Sequence, residues 1–234
     1  MTVTTTTLTR AAGLAAVAAG LLYVGVQINH PHLDATVVTT AEYAVRQTAK
    51  VLFAAFSLVG ITGMYLRQVK RTGVLGLLGY LLFSTGLLAL LSVQVVAVSV
   101  LPALALGEPG YVNDVLAVAT GGTAIGDIGL FQTLSRVAGV GYIGGGLLFG
   151  IALFRAGILA RWAAALLAVA ALATATIPLL PMISQRLFAI PVGVALIGLG
   201  YSLWRDQRTA TARPVPSPAS AGSVGSQPDP AGVR

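Results

Sequence analysis

The chain contains no cysteine, which excludes disulfides, thiolate metal sites and cysteine nucleophiles. Charge is nearly as scarce. Only 9% of the 234 residues are Asp, Glu, Lys or Arg, against roughly a quarter in soluble domains. So few charges cannot cover a water-facing surface, and 56% of the residues are hydrophobic. Histidine is limited to His30 and His32. No acidic or basic residue falls in the middle of a long apolar run. That removes the intramembrane ionisable group on which a proton-coupled pump depends. The glycine-rich stretch 121–126 lacks the lysine and following Ser/Thr of a phosphate loop, which argues against nucleotide binding. The net charge is +7, but its basic residues stand at the ends of apolar runs rather than in one patch. Nucleic acid is therefore not an expected partner.

What the chain has instead is long apolar runs. Two of them, 51–66 and 72–107, flank one basic cluster, Arg67, Lys70 and Arg71. Apolar runs hinged on a short basic loop describe a membrane hairpin with its turn in the cytoplasm. Read outward from that hairpin, the fold class is all-α: an integral membrane bundle of six transmembrane helices with cytoplasmic N- and C-termini. The spans are placed at about 11–28, 51–66, 73–101, 137–154, 162–177 and 187–204. Residues 1–10 form a cytoplasmic N-terminal segment. Residues 205–234, rich in Arg, Pro, Ser, Ala and Gly, form a disordered cytoplasmic tail. A cleaved signal peptide is the rival reading of 11–28. No small-x-small cleavage site follows it, so a retained first span is expected.

Orientation comes from the basic residues at the span ends. With the N-terminus inside, Arg10, Arg67, Lys70, Arg71, Arg155, Arg161, Arg205 and Arg208 are inner, and Arg46, Lys50, Arg136 and Arg186 are outer. Trp162 and Trp204 then fall at the inner boundary, where aromatic belts lie. The implied location is the plasma membrane.

Local signals refine the spans. Thr39-Thr40-Ala41-Glu42 fits a threonine-x-x-glutamate capping box, and Glu42, Arg46 and Lys50 repeat every four residues. The second helix is thus predicted to begin near Thr40. A helix from Thr40 to Arg67 is about 42 Å long, which puts its first turns beyond the roughly 30 Å hydrocarbon core. Pro102 should end or kink the third helix. Segment 108–126 reads as an outer loop with one short interfacial helix. Pro191 falls in the first turns of the sixth span, where a missing amide donor is tolerated.

Arg71-Thr72-Gly73-Val74-Leu75 is echoed by Arg155-Ala156-Gly157-Ile158-Leu159, each in an inner loop. Spans two–three and four–five can accordingly be read as repeats of one hairpin, or as chance reuse of Arg and Gly in membrane loops. Around the first copy, Tyr65-Leu66-Arg67-Gln68 and Arg71 through Tyr80 resemble a group of six-span integral membrane proteins of high-GC bacteria. The likeness extends loosely over residues 11–204. It implies the six-span fold and carries over no catalytic or ligand residues.

Candidate sites gather on the outer face. His30, His32 and Asp34 alternate, so an extended segment would point all three one way, as in a partial metal shell. The plain alternative is a polar turn. Glu42 and Arg46 can join them in one pocket roofed by the 108–127 loop, or can simply pair along a hydrated helix. Gln94, Gln132 and Ser135 are candidates for interhelical hydrogen bonds. Gly141, Gly145, Gly146 and Gly150 form overlapping small-xxx-small pairs for helix packing, with Gly73, Gly76 and Gly79 a similar set. Three functions are in play: a non-catalytic membrane module that packs against a partner or a second copy, a small-solute facilitator, and an enzyme with an outer-face metal at His30 and His32. The balance leans away from an enzyme. No cofactor is expected, and the bilayer is the expected partner.

Overall fold

In the computed structural model, residues 4–28, 33–179 and 189–211 are described, and every regular element among them is a helix. Thr4 opens α1 (Thr5–Val26) by accepting a hydrogen bond on its Oγ1 from the Thr7 amide, 3.2 Å away. The helix therefore starts inside the threonine-rich segment, before the apolar run. Thr40 caps α2 (Ala41–Ser99) in the same way, its hydroxyl accepting from the Tyr43 amide at 3.2 Å. The start agrees with the sequence reading, but the register differs by one. Thr40, not Thr39, is the cap, so Glu42 does not reach back to complete the box. Its carboxylate turns to Arg46 instead.

α2 is broken once, at Gly73, whose φ of 57° and ψ of −155° are open in practice only to glycine. The arms 41–72 and 74–99 fold back on each other there. Thr62 Oγ1 and the Tyr80 hydroxyl stand 3.1 Å apart, and the Tyr65 and Tyr80 rings stack at 4.6 Å. Arg67, Lys70 and Arg71 thus belong to the helix rather than to a loop, and the turn is a single residue. α2 ends before Pro102, which sits in the first turn of α3 (Leu101–Leu104). α4 (Pro109–Ala119) is the short helix of the outer segment, and it stops before Gly121 and Gly122. α5 (Phe131–Ala156) ends at Gly157, left-handed at φ 65°. α6 (Arg161–Ala173) continues as 3-10 turns over Thr174–Leu179. α7 (Ala189–Thr211) carries Pro191 in its first turn and extends past Arg205, where the tail was expected to begin. Residues 212–234 lie outside the described residues.

Among the described residues, three helices, α1, α2 and α5, are long and apolar enough to cross a membrane, and α6 with its extension is a shorter apolar helix. The chain is thus an all-helical protein compatible with a bilayer. α1 packs against α2 and α7, α2 against α5, α5 against α6, and α6 against α7. Small residues let these backbones approach. A Cβ placed on Gly13 would lie 2.8 Å from the Gly200 carbonyl oxygen, and Gly20 abuts Gly193, so α1 and α7 run antiparallel. Gly60 and Gly63 of α2 meet Ala16 and Ala12 of α1.

Of the six glycines of α5, the four expected to pack serve two neighbours. Gly141 and Gly145 lie against Gly86 and the Phe83 backbone of α2, while Gly146 and Gly150 lie against Ala171 and Ala168 of α6. In the other glycine set only Gly79 meets a partner helix, at Phe149. Gly73 makes the turn, and Gly76 faces its own Thr72. The centre is aromatic: Tyr23 stacks on Phe53 at 4.2 Å, and Tyr142 meets Phe83 edge-on at 5.5 Å. A separate core caps the end where α2 begins. It joins Val38, Tyr43, Leu101, Val112, Leu116 and Ile128.

Candidate functional site

At the capped end, α1 stops at Val26; the Gln27 and Ile28 amides reach the carbonyls of Val24 and Gly25, while the Val26 carbonyl takes its partner from outside the helix. Arg46 supplies one from across the chain. Its Nη1 donates to the carbonyls of Val26 and Ile28, both at 2.9 Å. Its Nε donates to Glu42 Oε1 at 2.9 Å, and Nη2 lies 2.8 Å from the same oxygen. A cation at a helix C-terminus also complements the helix dipole. Arg46 is consequently the clamp between the end of α1 and the start of α2. The Arg46 side chain is 17% exposed and that of Glu42 58%, so the carboxylate is the part of the pair that faces outward.

Asp34 is turned to its own loop. Its Oδ1 accepts from the Thr36 amide at 2.8 Å, the Thr36 hydroxyl at 2.6 Å and the Val37 amide at 3.1 Å, capping the turn Val37–Thr39. Asn113 Oδ1 accepts from the Ala35 amide at 2.9 Å and pins that loop to α4. Asp114 accepts from the amides of Ile125 and Gly126 at 2.9 and 2.8 Å. Those two backbone bonds hold its carboxyl below the usual range, outweighing a small opposing effect of desolvation. Asp127 accepts from the Gly129 amide at 2.8 Å. Asp34, Asp114 and Asp127 therefore build loops. Below them the Tyr43 hydroxyl donates to the Ala97 carbonyl at 3.0 Å and stitches the two arms of α2 together.

The structure brings Glu42 and Arg46 together and places α4 over the 33–40 segment. His30 and His32 lie outside the described residues, so the expected five-residue pocket is described only in its Asp34, Glu42 and Arg46 part. Among the described residues, no group of three or more His, Asp or Glu side chains stands close enough to hold a metal ion. Ser135 Oγ, expected to reach a neighbouring helix, finds no hydrogen-bond partner among the described residues, nor do Ser57 Oγ, Ser84 Oγ and Gln68 Oε1.

One feature escaped the sequence. Beside the Glu42–Arg46 pair, α1 and the first arm of α2 diverge into a lateral cleft of about 900 Å³. Near Ala12 and Ala16 the two helices touch through Gly63 and Gly60. Towards the capped end the bulky Tyr23–Phe53 stack takes over from these small residues, and Gly25 has open space around it. Leu21, Gly25, Val45, Ala49, Leu52 and Phe56 line the opening, with Glu42 and Arg46 at one end. The only available signal was the change from small to large residues along the two facing stripes.

Compared with protein-family models, with curated proteins and with solved structures, the chain finds no match.

Proposed function

We propose that this chain is a six-span membrane module of the plasma membrane, with both termini cytoplasmic. In this reading it is non-catalytic and acts through lateral contacts with lipid, a partner membrane protein or a second copy, rather than by moving a solute. One observation carries the reading: the bundle interior is occupied by packed rings, the Tyr23–Phe53 stack, Phe83 and Tyr142, and Phe149 at 6.4 Å from both Phe83 and Tyr80. The helices around those rings are drawn together at glycine contacts. A solute path needs room and polar lining that such packing does not offer. The six-span reading assigns one span to each arm of α2 and one each to α1, α5, α6 and α7. It puts eight of the twelve basic residues that flank the spans at the end opposite the cap, where Arg67 Nε bonds Asp206 Oδ2 at 2.7 Å and α2 and α7 meet.

Two measurements test this. Reporters active only in the cytoplasm or only outside it, fused after residues 106 and 204, should read outside and cytoplasm respectively. The reverse pattern would overturn the orientation. Purified protein in liposomes should leave the flux of glycerol, sugars and small ions at the level of empty vesicles. Flux that rises with protein content would replace this reading with the facilitator.

A further inference from the structure

The cleft between α1 and α2 has three properties that together define an occupant. Its walls are apolar and open sideways, on the surface that a membrane-embedded chain turns to lipid. Its volume of about 900 Å³ is large, near the top of the roughly 300–1,000 Å³ range of small-molecule pockets. Its charged residues are confined to one end. Measured along α2, the ten steps from Arg46 to Phe56 span about 15 Å, half of the roughly 30 Å hydrocarbon core and thus one leaflet.

The order of the charges is equally specific. Glu42 lies one turn before Arg46, about 6 Å farther from the apolar depth of the cleft. The outward group is a carboxylate and the deeper one a guanidinium. A phospholipid with an amine headgroup presents the complementary order, ammonium outermost and phosphate beneath it. Arg46 need not release its bonds to α1 for this, because Coulomb attraction acts on the paired guanidinium as well. A lipid whose headgroup carries only negative charge would meet Glu42 with repulsion. A partner helix is a poorer fit, since Leu21, Val45 and Leu52 stand among the small residues Gly25 and Ala49 and break up the flat glycine stripe that joins helices elsewhere in this bundle.

We propose that the α1–α2 cleft binds one diacyl phospholipid with a zwitterionic amine headgroup, its chains along Leu21, Ala49 and Phe56 and its headgroup at Glu42 and Arg46. This rests on the reading of the chain as a membrane module. If reporter fusions show that the chain does not insert, that reading fails; an inserted, folded protein that holds no lipid defeats this proposal alone.

The test is native mass spectrometry of protein released from mild detergent, after delipidation and addition of phosphatidylethanolamine or phosphatidylglycerol with the same acyl chains. The wild type should retain one phosphatidylethanolamine, at about tenfold lower concentration than is needed for phosphatidylglycerol. Ala49→Trp fills the cleft and should cut retention about tenfold, while Val140→Trp, on the exposed face of α5, should not. Glu42→Gln leaves the clamp to α1 in place and should abolish the preference between the two headgroups. Its thermal stability, measured in parallel, shows that it folds. Equal retention of both lipids by the wild type would overturn the headgroup assignment. Undiminished retention by Ala49→Trp would overturn the location. A protein rather than a lipid cross-linked through a photoreactive group at Val45 would overturn the occupant.

Discussion

Gly145→Ala and Gly139→Ala make the same chemical change on the same helix, α5, and should shift stability in different directions. At Gly145 the new Cβ would fall on the backbone amide nitrogen and Cα of Phe83. Those atoms belong to the facing arm of α2, so no flexible side chain can swing aside. Phe83 itself is 1% exposed, and its ring is held by Tyr142 at 5.5 Å and Phe149 at 6.4 Å. The helices must separate, and overpacking of this kind costs about 1–3 kcal/mol. At Gly139 nothing lies within 4 Å of the added Cβ. There the substitution only removes a flexible residue from a helix, a gain of at most about 1 kcal/mol. The gain is smaller still where the unfolded state in detergent keeps its helices. At about 2–4 °C per kcal/mol for a chain of this size, Gly145→Ala should lower the melting temperature by roughly 2–12 °C. Gly139→Ala should leave it unchanged or raise it by up to about 4 °C on the same scale. Heating both variants in mild detergent and following the folded fraction by gel filtration measures the difference. A Gly145→Ala protein as stable as Gly139→Ala would refute the packing of α5 on α2.

Arg46→Met should cost about 1–3 kcal/mol, since it strips charge-assisted bonds from the Val26 and Ile28 carbonyls, whereas Glu42→Gln, losing an exposed helical pair, should cost less than about 0.5 kcal/mol. Equal losses in a melting series would mean that Arg46 is not the clamp. At Gly73 the φ/ψ pair suits glycine alone, so Gly73→Asn should destabilise by about 1–3 kcal/mol, while Gly157→Asn, in the left-handed region that asparagine accepts, should be milder. Reversed ranking in the same assay would count against the one-residue turn. Asp114 has a folded pKa below the ordinary value of about 3.9, so its support of the 120–130 loop is complete above that pH and fades as the pH falls through the lower, folded value. Amide exchange at Ile125 and Gly126 should accelerate in that acid window, after correction for the intrinsic rate. Asp114→Asn should show the faster exchange at neutral pH, and protection that ignores both changes would remove Asp114 from that role.

Much of the helical layout was legible because its causes are local. A run of apolar residues, a capping threonine at Thr40 and prolines at 102 and 191 act through their own backbone and immediate neighbours. So the start of α2, to within one residue of its cap, the end before Pro102 and the short α4 could be read directly. The basic cluster was legible as a turn signal but not as structure, because whether Arg71 lies in a loop or in a helix depends on how sharply one glycine can bend. Candidate residues fared unevenly for a related reason. Glu42 and Arg46 are four apart on a helix, so their pairing follows from spacing, but the carbonyls that Arg46 reaches lie at the end of another helix.

Sequence by itself determined that this chain is helical, charge-poor and built of segments suited to a bilayer, because transfer of apolar groups and backbone hydrogen bonding are decided residue by residue. It could not decide which helices touch. In lipid both the inward and the outward face of a helix are apolar, so hydrophobic periodicity no longer marks the buried side. The closure of α1 on α7 through Gly13 and Gly200, the aromatic centre, and the cleft left where α1 and α2 diverge were settled by tertiary packing alone. Each depends on whether two small residues or two large ones meet across a contact, and that pairing exists only once the chain has folded.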